Sequence, residues 1–283
     1  MALKNLTDSL LLSASQCWFA NLPLTQNELA NALAAVNIIK NSEVIQCLSQ
    51  IDRKKFTNDP EPYANKPCSI GNGEVITSPS TQGLILEILY SPLKNSSKIL
   101  DLGCGLGYIS QCMALLNPNS QIIAVDIHKE LIIQAKNLNT FENIEFRHCE
   151  AHEIVEDQFD TINVGFNANQ NLFEQLCWKV GNGTVLCPVD GRWIFFDGKE
   201  NLDFGEVGFS QMRVLENLEE EFGEIEKQIK ELYLETEKKL SRRPNITELP
   251  NEIHGLLNKR RRIQNRIKSR ELRGKEKKDE FIE

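Results

Sequence analysis

The sequence lacks the features that mark a zinc protein, a disulfide-linked protein or a membrane protein. Its four histidines and eight cysteines are scattered, with no C-x-x-C pair, so we predict neither a metal site nor a disulfide framework. Residues 10–22 have apolar character, but the stretch is too short to span a bilayer and contains Ser, Gln and Asn. Without a convincing cleavage signal it is interpreted as a helix rather than a signal peptide. These absences favour a reducing compartment, and we expect a cytoplasmic protein.

The sequence also lacks a surplus of positive charge. The formal net charge is −8, and residues 1–213 hold 15 Lys and Arg against 24 Asp and Glu, a net of −9. Residues 214–283 hold 17 and 16, a net of +1. The mildly acidic larger part argues against a nucleic-acid surface there. A length of 283 residues is sufficient for one α/β domain and an appendage.

The stretch KILDLGCGLGY at residues 98–108 is the most informative part of the chain. An apolar run typical of a buried strand ends in Asp101, and Gly103, Gly105 and Gly107 follow at alternate positions. Glycines allow a sharp turn and a close approach of bare backbone to a ligand. The third glycine comes one residue earlier than in the dinucleotide pattern G-x-G-x-x-G.

A second acid strengthens the prediction of a cofactor site. The next predicted strand, QIIAV at 121–125, ends in Asp126, where a carboxylate would accept from both hydroxyls of a ribose. An acid, G-x-G-x-G and this second acid resemble the S-adenosylmethionine site of Rossmann-like methyltransferases. Dinucleotide binding is the competing interpretation, and a βαβ turn that binds nothing is the third.

The N-terminal third carries a more specific resemblance. Residues 27–56 have the apolar spacing of two helices, with Asn41 and Ser42 as turn and N-cap, and the proline-rich stretch 58–83 is predicted to be a long loop that shapes a site. The segments DRKKF, EPYANKP, SIG and VITSPSTQG stand in the order and spacing found in protein-L-isoaspartate O-methyltransferases. The resemblance extends from about residue 27 to about residue 213.

The remaining pattern up to residue 213 predicts a Rossmann-like, doubly wound methyltransferase sheet behind the N-terminal helices. Helices are expected at 84–90, 109–116, 129–138 and 172–180, and strands at 144–146, 161–165 and within 181–191. Residues 193–196 and 206–209 are predicted to be late antiparallel strands at the sheet edge. Phe166 and Asn169 depart from the small residues and the proline that the resembled family has beside its peptide substrate.

The resemblance implies S-adenosyl-L-methionine as cofactor and methyl transfer to the free carboxylate of isoaspartyl residues in proteins or peptides. Thr77 aligns with the hydroxyl residue that the family uses to orient that carboxylate, and it is the predicted catalytic residue. At residue 150 the family usually has Asp, and Glu150 keeps the charge near the adenine. The predicted cofactor-binding residues are Ile76, Gln82, Asp101, Gly103, Cys104, Gly105, Leu106, Gly107, Asp126, Ile127, Glu150 and Ala151.

The last 70 residues have a different pattern. Apolar residues alternate spacings of three and four, as in a heptad seam, at Leu215, Leu218, Phe222, Ile225, Ile229 and Leu232. A second, weaker seam follows in a basic stretch. We predict an antiparallel helical hairpin or coiled coil whose acidic and basic arms complement each other. The alternative is a protein partner bound through residues 214–283; we expect neither a nucleic-acid partner nor a membrane.

These patterns divide the chain into an N-terminal extension at 1–26, an isoaspartyl-methyltransferase-like domain at 27–213 and a charged helical extension at 214–283. Two functions from different classes remain open, and a methyltransferase with another acceptor is a third interpretation. One is a carboxyl methyltransferase acting on isoaspartyl or related acidic residues. The other is a weak or inactive subunit that keeps the methyltransferase fold and serves as an adaptor through its C-terminal helices, because Thr77, Phe166 and Asn169 alter the acceptor region.

Overall fold

The computed structural model describes residues 22–154, 158–206, 209 and 227. The chain divides into two units, Met1–Val214 and Leu215–Glu283, and the elements below belong to the first. The helix predicted at 10–22 and the C-terminal hairpin or coiled coil lie outside the described residues, apart from residues 22 and 227. Within the described ranges, no helix combines the length and the apolarity needed to cross a bilayer.

Two capped helices open the described chain, as predicted. Helix α1 is Gln26–Ala35 and helix α2 is Ser42–Gln50. The Asn41 side chain accepts a hydrogen bond from the Glu43 N–H at 2.9 Å, which confirms it as the N-cap of α2. Both helices bury one apolar face against the rest of the fold, and Leu29 and Leu33 are almost fully enclosed.

The stretch predicted to be a long loop contains regular structure. A 3₁₀ turn at Arg53–Phe56 precedes an antiparallel hairpin of β1, Cys68–Gly71, and β2, Glu74–Ile76. Asn72 and Gly73 connect the two strands with φ angles of 53° and 77°, the left-handed conformation that a tight hairpin requires. Helix α3 then runs over Pro79–Asn95, so it begins inside the predicted loop and extends well beyond residue 90.

The centre of the fold is a seven-stranded sheet with the spatial order β5-β4-β3-β6-β7-β8-β9. The first five of these strands are mutually parallel, and β8 and β9 are antiparallel. The strands are β3 Lys98–Leu102, β4 Gln121–Asp126, β5 Ile144–His148, β6 Thr161–Val164, β7 Thr184–Val189, β8 Arg192–Phe196 and β9 Asn201–Glu206. The helices between them are α4 Tyr108–Leu116, α5 Lys129–Leu138 and α6 Gln170–Val180.

The prediction for the last strand is wrong in position. It was placed at 206–209, whereas β9 covers Asn201–Glu206 and pairs with β8 so that Phe196 faces Asn201. The hairpin turn follows β8 immediately, because Gly198 with a φ of 87° allows the chain to reverse there. Leu202 and Phe204 then face inward, and Phe204 is almost fully buried. The predicted doubly wound α/β sheet itself is confirmed.

The sheet topology creates one crevice. Successive residues of β3 face opposite layers of the core, with Ile99 in one apolar cluster and Leu100 in the other. The chain leaves β3 toward β4 on one side and later returns to β6 on the other side. The carboxyl ends of β3, β4 and β6 therefore surround a topological switch point, where sheets of this kind bind ligands.

Candidate functional site

The glycine loop after β3 presents bare backbone to the crevice. Gly103 and Gly105 have φ angles of 72° and 54°, which side-chain-bearing residues rarely adopt. A Cβ atom on Gly103 would lie 2.7 Å from Cδ1 of Phe166, and one on Gly105 would lie 2.9 Å from Cδ1 of Ile70. Both positions therefore favour glycine for conformational reasons, and at Gly103 the Phe166 ring adds a steric one.

Asp126 lies at the carboxyl end of β4, directly beside this loop. Its Oδ2 accepts from the Gly105 N–H and its Oδ1 accepts from the His128 N–H, each at 2.9 Å. Burial raises the pKa of the Asp126 carboxyl, and the two backbone hydrogen bonds oppose that rise. Each oxygen keeps a second lone pair. A carboxylate held in this way can accept from two neighbouring hydroxyl groups of a ligand.

Asp101 lies deeper, in β3, and is fully enclosed by protein. Its Oδ2 accepts from the Ser110 hydroxyl and its Oδ1 accepts from Nδ2 of Asn163 at 2.8 Å. Burial raises the pKa of the Asp101 carboxyl to about 6, with a further contribution from the charge of Asp126, while the Ser110 and Asn163 hydrogen bonds oppose the shift. At neutral pH this carboxylate is therefore a buried negative charge beneath the glycine loop.

A single buried arginine fixes the opposite wall. The Arg53 side chain is completely enclosed. Its Nη1 donates to the Thr77 carbonyl at 2.7 Å and to Oε1 of Gln82 at 2.6 Å. Its other donors reach the carbonyls of Pro62, Lys66 and Ile76. One guanidinium thus connects the 3₁₀ turn, the loop before β1, the end of β2 and the start of α3.

The start of α3 adds a group of hydroxyls. Thr77, Ser78 and Thr81 line the crevice, and the Ser78 and Thr81 hydroxyls lie 2.9 Å apart. Pro79 occupies the first turn, and the Ser80 N–H donates to Oδ1 of Asn65 at 3.0 Å. Short hydroxyl side chains at a fixed helix start can donate to an anionic group in the crevice.

The crevice consists of two adjoining cavities. The outer cavity is bounded by the hairpin, the glycine loop and the ends of β4 and β6, and Phe166 and Phe209 are among its apolar residues. The inner cavity lies above Asp101 and Asn163. Thr77, Gly103 and Gly105 line both cavities. The glycine loop and the hydroxyl residues at the start of α3 therefore face one continuous space.

The crevice brings most of the predicted site residues together. The outer cavity includes Asp126, Ile127 and Ala151, in addition to Thr77, Gly103 and Gly105, the three predicted residues that line both cavities. The inner cavity adds predicted residues from three segments, namely Ile76, Gln82, Asp101, Cys104 and Leu106.

Two predicted cofactor-binding residues line neither cavity. Gly107 is the N-cap of α4, and a Cβ there would lie 2.6 Å from the Phe146 ring, so the packing at this point requires glycine. Glu150 is buried, and its N–H donates to Oε2 of Glu153 at 2.7 Å.

The two residues expected beside the acceptor lie in different places. Asn169 caps α6 by accepting from the Leu172 N–H at 2.9 Å and is exposed. Phe166 does line the outer cavity.

Several residues of the site were not predicted. Asn163 contacts Asp101 only because the fold brings two segments 62 residues apart together. Ser110 on α4 and His128 after β4 make shorter-range contacts, with Asp101 and Asp126 respectively. Arg53 belongs to the segment DRKKF, which carries part of the family resemblance. Nothing in that segment predicts that the Arg53 guanidinium donates hydrogen bonds to five acceptors. Nε2 of His128 lies 3.2 Å from Oε1 of Glu74, so a contact between the β4 loop and the hairpin crosses the outer cavity.

The comparisons with known proteins identify the family and the fold. A family model described as protein-L-isoaspartate(D-aspartate) O-methyltransferase matches residues 24–196, more than half of the chain. A protein-L-isoaspartate O-methyltransferase of Fervidobacterium nodosum is 29% identical over 164 residues, 54% of this chain and 80% of that protein. The wheat (Triticum aestivum) enzyme of the same name is 27% identical over 135 residues, 46% of this chain and 56% of the wheat protein's length.

Solved structures show the same likeness. A structure from Plasmodium falciparum, described as a protein-L-isoaspartate O-methyltransferase in complex with S-adenosyl-L-homocysteine, has a TM-score of 0.62 and 25% identity. The match covers 68% of this chain and 99% of that one. Another structure of the same name has a TM-score of 0.58 at 18% identity, which supports the fold alone.

Proposed function

The chain belongs to the protein-L-isoaspartate(D-aspartate) O-methyltransferase family, and we propose that it methylates the free carboxylate of isoaspartyl residues with S-adenosyl-L-methionine as cofactor. One observation carries this proposal. The glycine loop with Asp126, which suits an adenosyl cofactor, and Thr77 with its neighbouring hydroxyls line the same crevice. Donor and acceptor sites in one crevice are what group transfer requires.

The residues present fit that cofactor. Bare glycine backbone leaves room beside the sheet end, and Asp126 offers acceptors for a ribose diol. The buried Asp101 carboxylate places negative charge where a cationic group would bind. When bound, the cofactor supplies a methyl group whose bond to a sulfonium sulfur breaks as a bond to a carboxylate oxygen forms, so the carboxylate loses its charge and the sulfur becomes a neutral thioether.

The chain's own residues have the task of alignment. A carboxylate is a nucleophile at neutral pH, so no general base is required. The Thr77 hydroxyl donates a hydrogen bond to the acceptor carboxylate, and the Arg53 bond to the Thr77 carbonyl fixes the backbone that carries it. Phe166 and Phe209 line the outer cavity and give it apolar surface beside the reacting groups.

The test begins with calorimetric titration of S-adenosylhomocysteine into the full chain. Methyl transfer is then measured on the same sample with an isoaspartyl peptide and with the same peptide carrying ordinary aspartate. We expect binding, and turnover of the isoaspartyl peptide alone. Thr77→Ala is expected to lower kcat about 10- to 100-fold with unchanged S-adenosylhomocysteine affinity, because it removes one positioned donor. Thr77→Ser keeps the hydroxyl and is expected to retain most activity.

The outcomes separate the possibilities. Binding without turnover would refute the isoaspartyl acceptor while keeping the cofactor site. Failure to bind S-adenosylhomocysteine would refute the cofactor site as well and would return the adaptor alternative, which the family matches do not favour. That alternative depends on residues 214–283, of which the structure describes only Lys227.

The domain organisation and the location are part of the proposal. We assign methyl transfer to residues 27–213 and a partner-binding role to residues 214–283. A chain that ends at residue 213 is expected to bind S-adenosylhomocysteine like the full chain, and loss of binding would show that the last residues belong to the functional unit. The seven cysteines in the described ranges are free thiols, which supports a cytoplasmic location.

A further inference from the structure

One buried polar atom in the crevice has no hydrogen-bond partner. In the described part of the chain, Oδ1 of Asn163 makes no hydrogen bond, although only 2% of the residue is exposed. Buried amide oxygens are almost always paired, because an unpaired one loses its bonds to water without replacement. Such an atom beside a cavity points to a ligand that supplies a donor.

The orientation of this amide is determined by its neighbour. Nδ2 of Asn163 donates to Oδ1 of Asp101 at 2.8 Å, and the second carboxylate oxygen accepts from the Ser110 hydroxyl. Rotating the amide by 180° would place its oxygen against a carboxylate oxygen that is ionised at neutral pH. The carboxylate therefore keeps the Asn163 oxygen directed away from itself.

The position of Asn163 relates the oxygen to the cofactor crevice. Asn163 on β6 is the direct cross-strand partner of Asp101 on β3, and both residues line the inner cavity with Gly103 and Gly105. None of the described residues that line this cavity carries a positive charge. The inner cavity thus offers a carboxylate and an amide oxygen and lacks a cationic side chain, which suits a ligand that is itself a cationic donor.

The outer cavity suits the adenosine end of S-adenosylmethionine. Asp126 with Ile127 and Ala151 lies there, and these residues suit the ribose and adenine. The part of S-adenosylmethionine that remains is the methionyl end, which carries an α-ammonium group with three N–H donors and no acceptor.

We propose that Oδ1 of Asn163 accepts a hydrogen bond from the α-ammonium group of the cofactor, beside the Asp101 carboxylate. This inference rests on the proposed function, because it assumes the same cofactor. Asn163 would then be a cofactor-binding residue that recognises the amino-acid end and does not contact the adenosine.

Two ligands test this assignment. S-adenosylhomocysteine carries the α-ammonium group, whereas 5′-methylthioadenosine shares the adenosine and the thioether but lacks the amino-acid end. Calorimetry is carried out at pH 8, where Asp101 is ionised. Asn163→Leu is expected to weaken S-adenosylhomocysteine at least about tenfold, because a hydrogen bond to a charged group is lost, and to change 5′-methylthioadenosine less than about twofold.

A matched variant separates a direct contact from an effect through Asp101. Ser110→Ala also removes one hydrogen-bond donor from the Asp101 carboxylate but leaves the Asn163 oxygen in place. It is therefore expected to weaken S-adenosylhomocysteine less than Asn163→Leu does. If the two variants have equal effects, Asn163 acts only by supporting Asp101 and the proposal is wrong.

Other results would also overturn the proposal. Equal weakening of both ligands by Asn163→Leu would show a purely structural role, and unchanged affinity for both would show that water satisfies the oxygen. If Asn163→Leu does not fold, Asn163→Ser provides the same comparison with a smaller change. The wild-type chain is measured alongside the variants, because this separates failure of the Asn163 assignment from failure of the proposed function. If the wild-type chain does not bind S-adenosylhomocysteine, the proposed function itself is refuted.

Discussion

The two walls of the crevice are constructed in different ways. The cofactor side, defined here as residues 101–107 with Asp126, rests on neighbouring parallel strands, and its polar groups are close partners at the strand ends. The acceptor side, defined as residues 68–82, has a two-stranded hairpin that is separate from the main sheet. It depends on the Arg53 guanidinium, which comes from a 3₁₀ turn outside the segment.

This difference predicts which single substitutions disturb the crevice most. On the cofactor side the backbone of β3 pairs with β4 and with β6, so the change of a single side chain there leaves the strands in place. On the acceptor side one side chain satisfies several backbone carbonyls at once. Loss of that side chain leaves those carbonyls buried without donors, which is costly for the whole segment.

The largest expected effect comes from removing that arginine. Arg53→Met keeps most of the apolar volume but leaves its buried acceptors unpaired, including Thr77 O and Oε1 of Gln82. We expect the free energy of unfolding to fall by about 3–5 kcal/mol, measured by urea denaturation. Methyl transfer should fall with it, because Thr77 loses its backbone support.

Lys54→Met is the matched control for this prediction. Lys54 is the next residue of the same 3₁₀ turn and is exposed, so its replacement is expected to change stability by less than about 0.5 kcal/mol. Equal stability of the two variants would contradict the view that one guanidinium holds the acceptor side together.

The second effect concerns the cofactor side alone. Asp126→Ala removes the acceptor that we propose for the ribose hydroxyls, and we expect S-adenosylhomocysteine affinity to fall by about 1.5–3 kcal/mol, or roughly 10- to 150-fold, in calorimetry. The fold should persist, because the strands on either side are unchanged. Glu142→Ala, an exposed acid outside the crevice, serves as control. Unchanged affinity of Asp126→Ala would refute this placement of the ribose.

The same comparison explains what could be predicted from the sequence. The cofactor side is encoded locally: an apolar strand, an acid and three glycines follow one another, and their chemistry can be inferred without knowing the fold. The α/β sheet and most crevice residues follow from such local patterns. Asn163 could not be predicted, because its role arises from its pairing with Asp101 across two strands about 60 residues apart.

The acceptor side was less accessible to prediction. The Asn72–Gly73 pair is a strong hairpin signal, but the strands beside it are short and the surrounding prolines favoured a loop. Outside the acceptor side, Leu202 and Phe204 alternate as in a strand, but the sequence interpretation places the last strand later, at 206–209. The hydrogen bonds of Arg53 join residues that are 9 to 29 positions apart in the sequence, and a local sequence pattern does not predict such contacts.

Acid should weaken the cofactor side in a way that depends on the ligand. The pKa of Asp101 is raised to about 6 by burial, so lowering the pH from 7.5 to 5.5 protonates this carboxyl in the free protein. A bound α-ammonium favours the ionised form, and the affinity for S-adenosylhomocysteine should therefore fall about fourfold over this range, as calculated for one group of that pKa.

The ligand 5′-methylthioadenosine provides the control for this pH dependence. It lacks the ammonium group but keeps the ribose, so any titration of Asp126, whose pKa is also raised by burial, affects both ligands alike. The ratio of the two dissociation constants then reports on Asp101. A ratio that is constant between pH 5.5 and 7.5 would show that Asp101 does not interact with the ammonium group.

The smallest effect is expected where the two sides meet. Glu74 on the hairpin and His128 after β4 form the contact across the outer cavity, at 3.2 Å and with both side chains largely buried. Because a partly exposed hydrogen bond contributes about 0.5–1 kcal/mol, Glu74→Ala should speed the dissociation of S-adenosylhomocysteine about two- to fivefold, measured by displacement with excess competitor. Glu145→Ala removes a carboxylate that bonds Arg147 elsewhere on the surface and should leave the rate unchanged. If the two variants release the ligand equally fast, the hairpin does not hold the ligand through this contact, and the two sides of the crevice act independently.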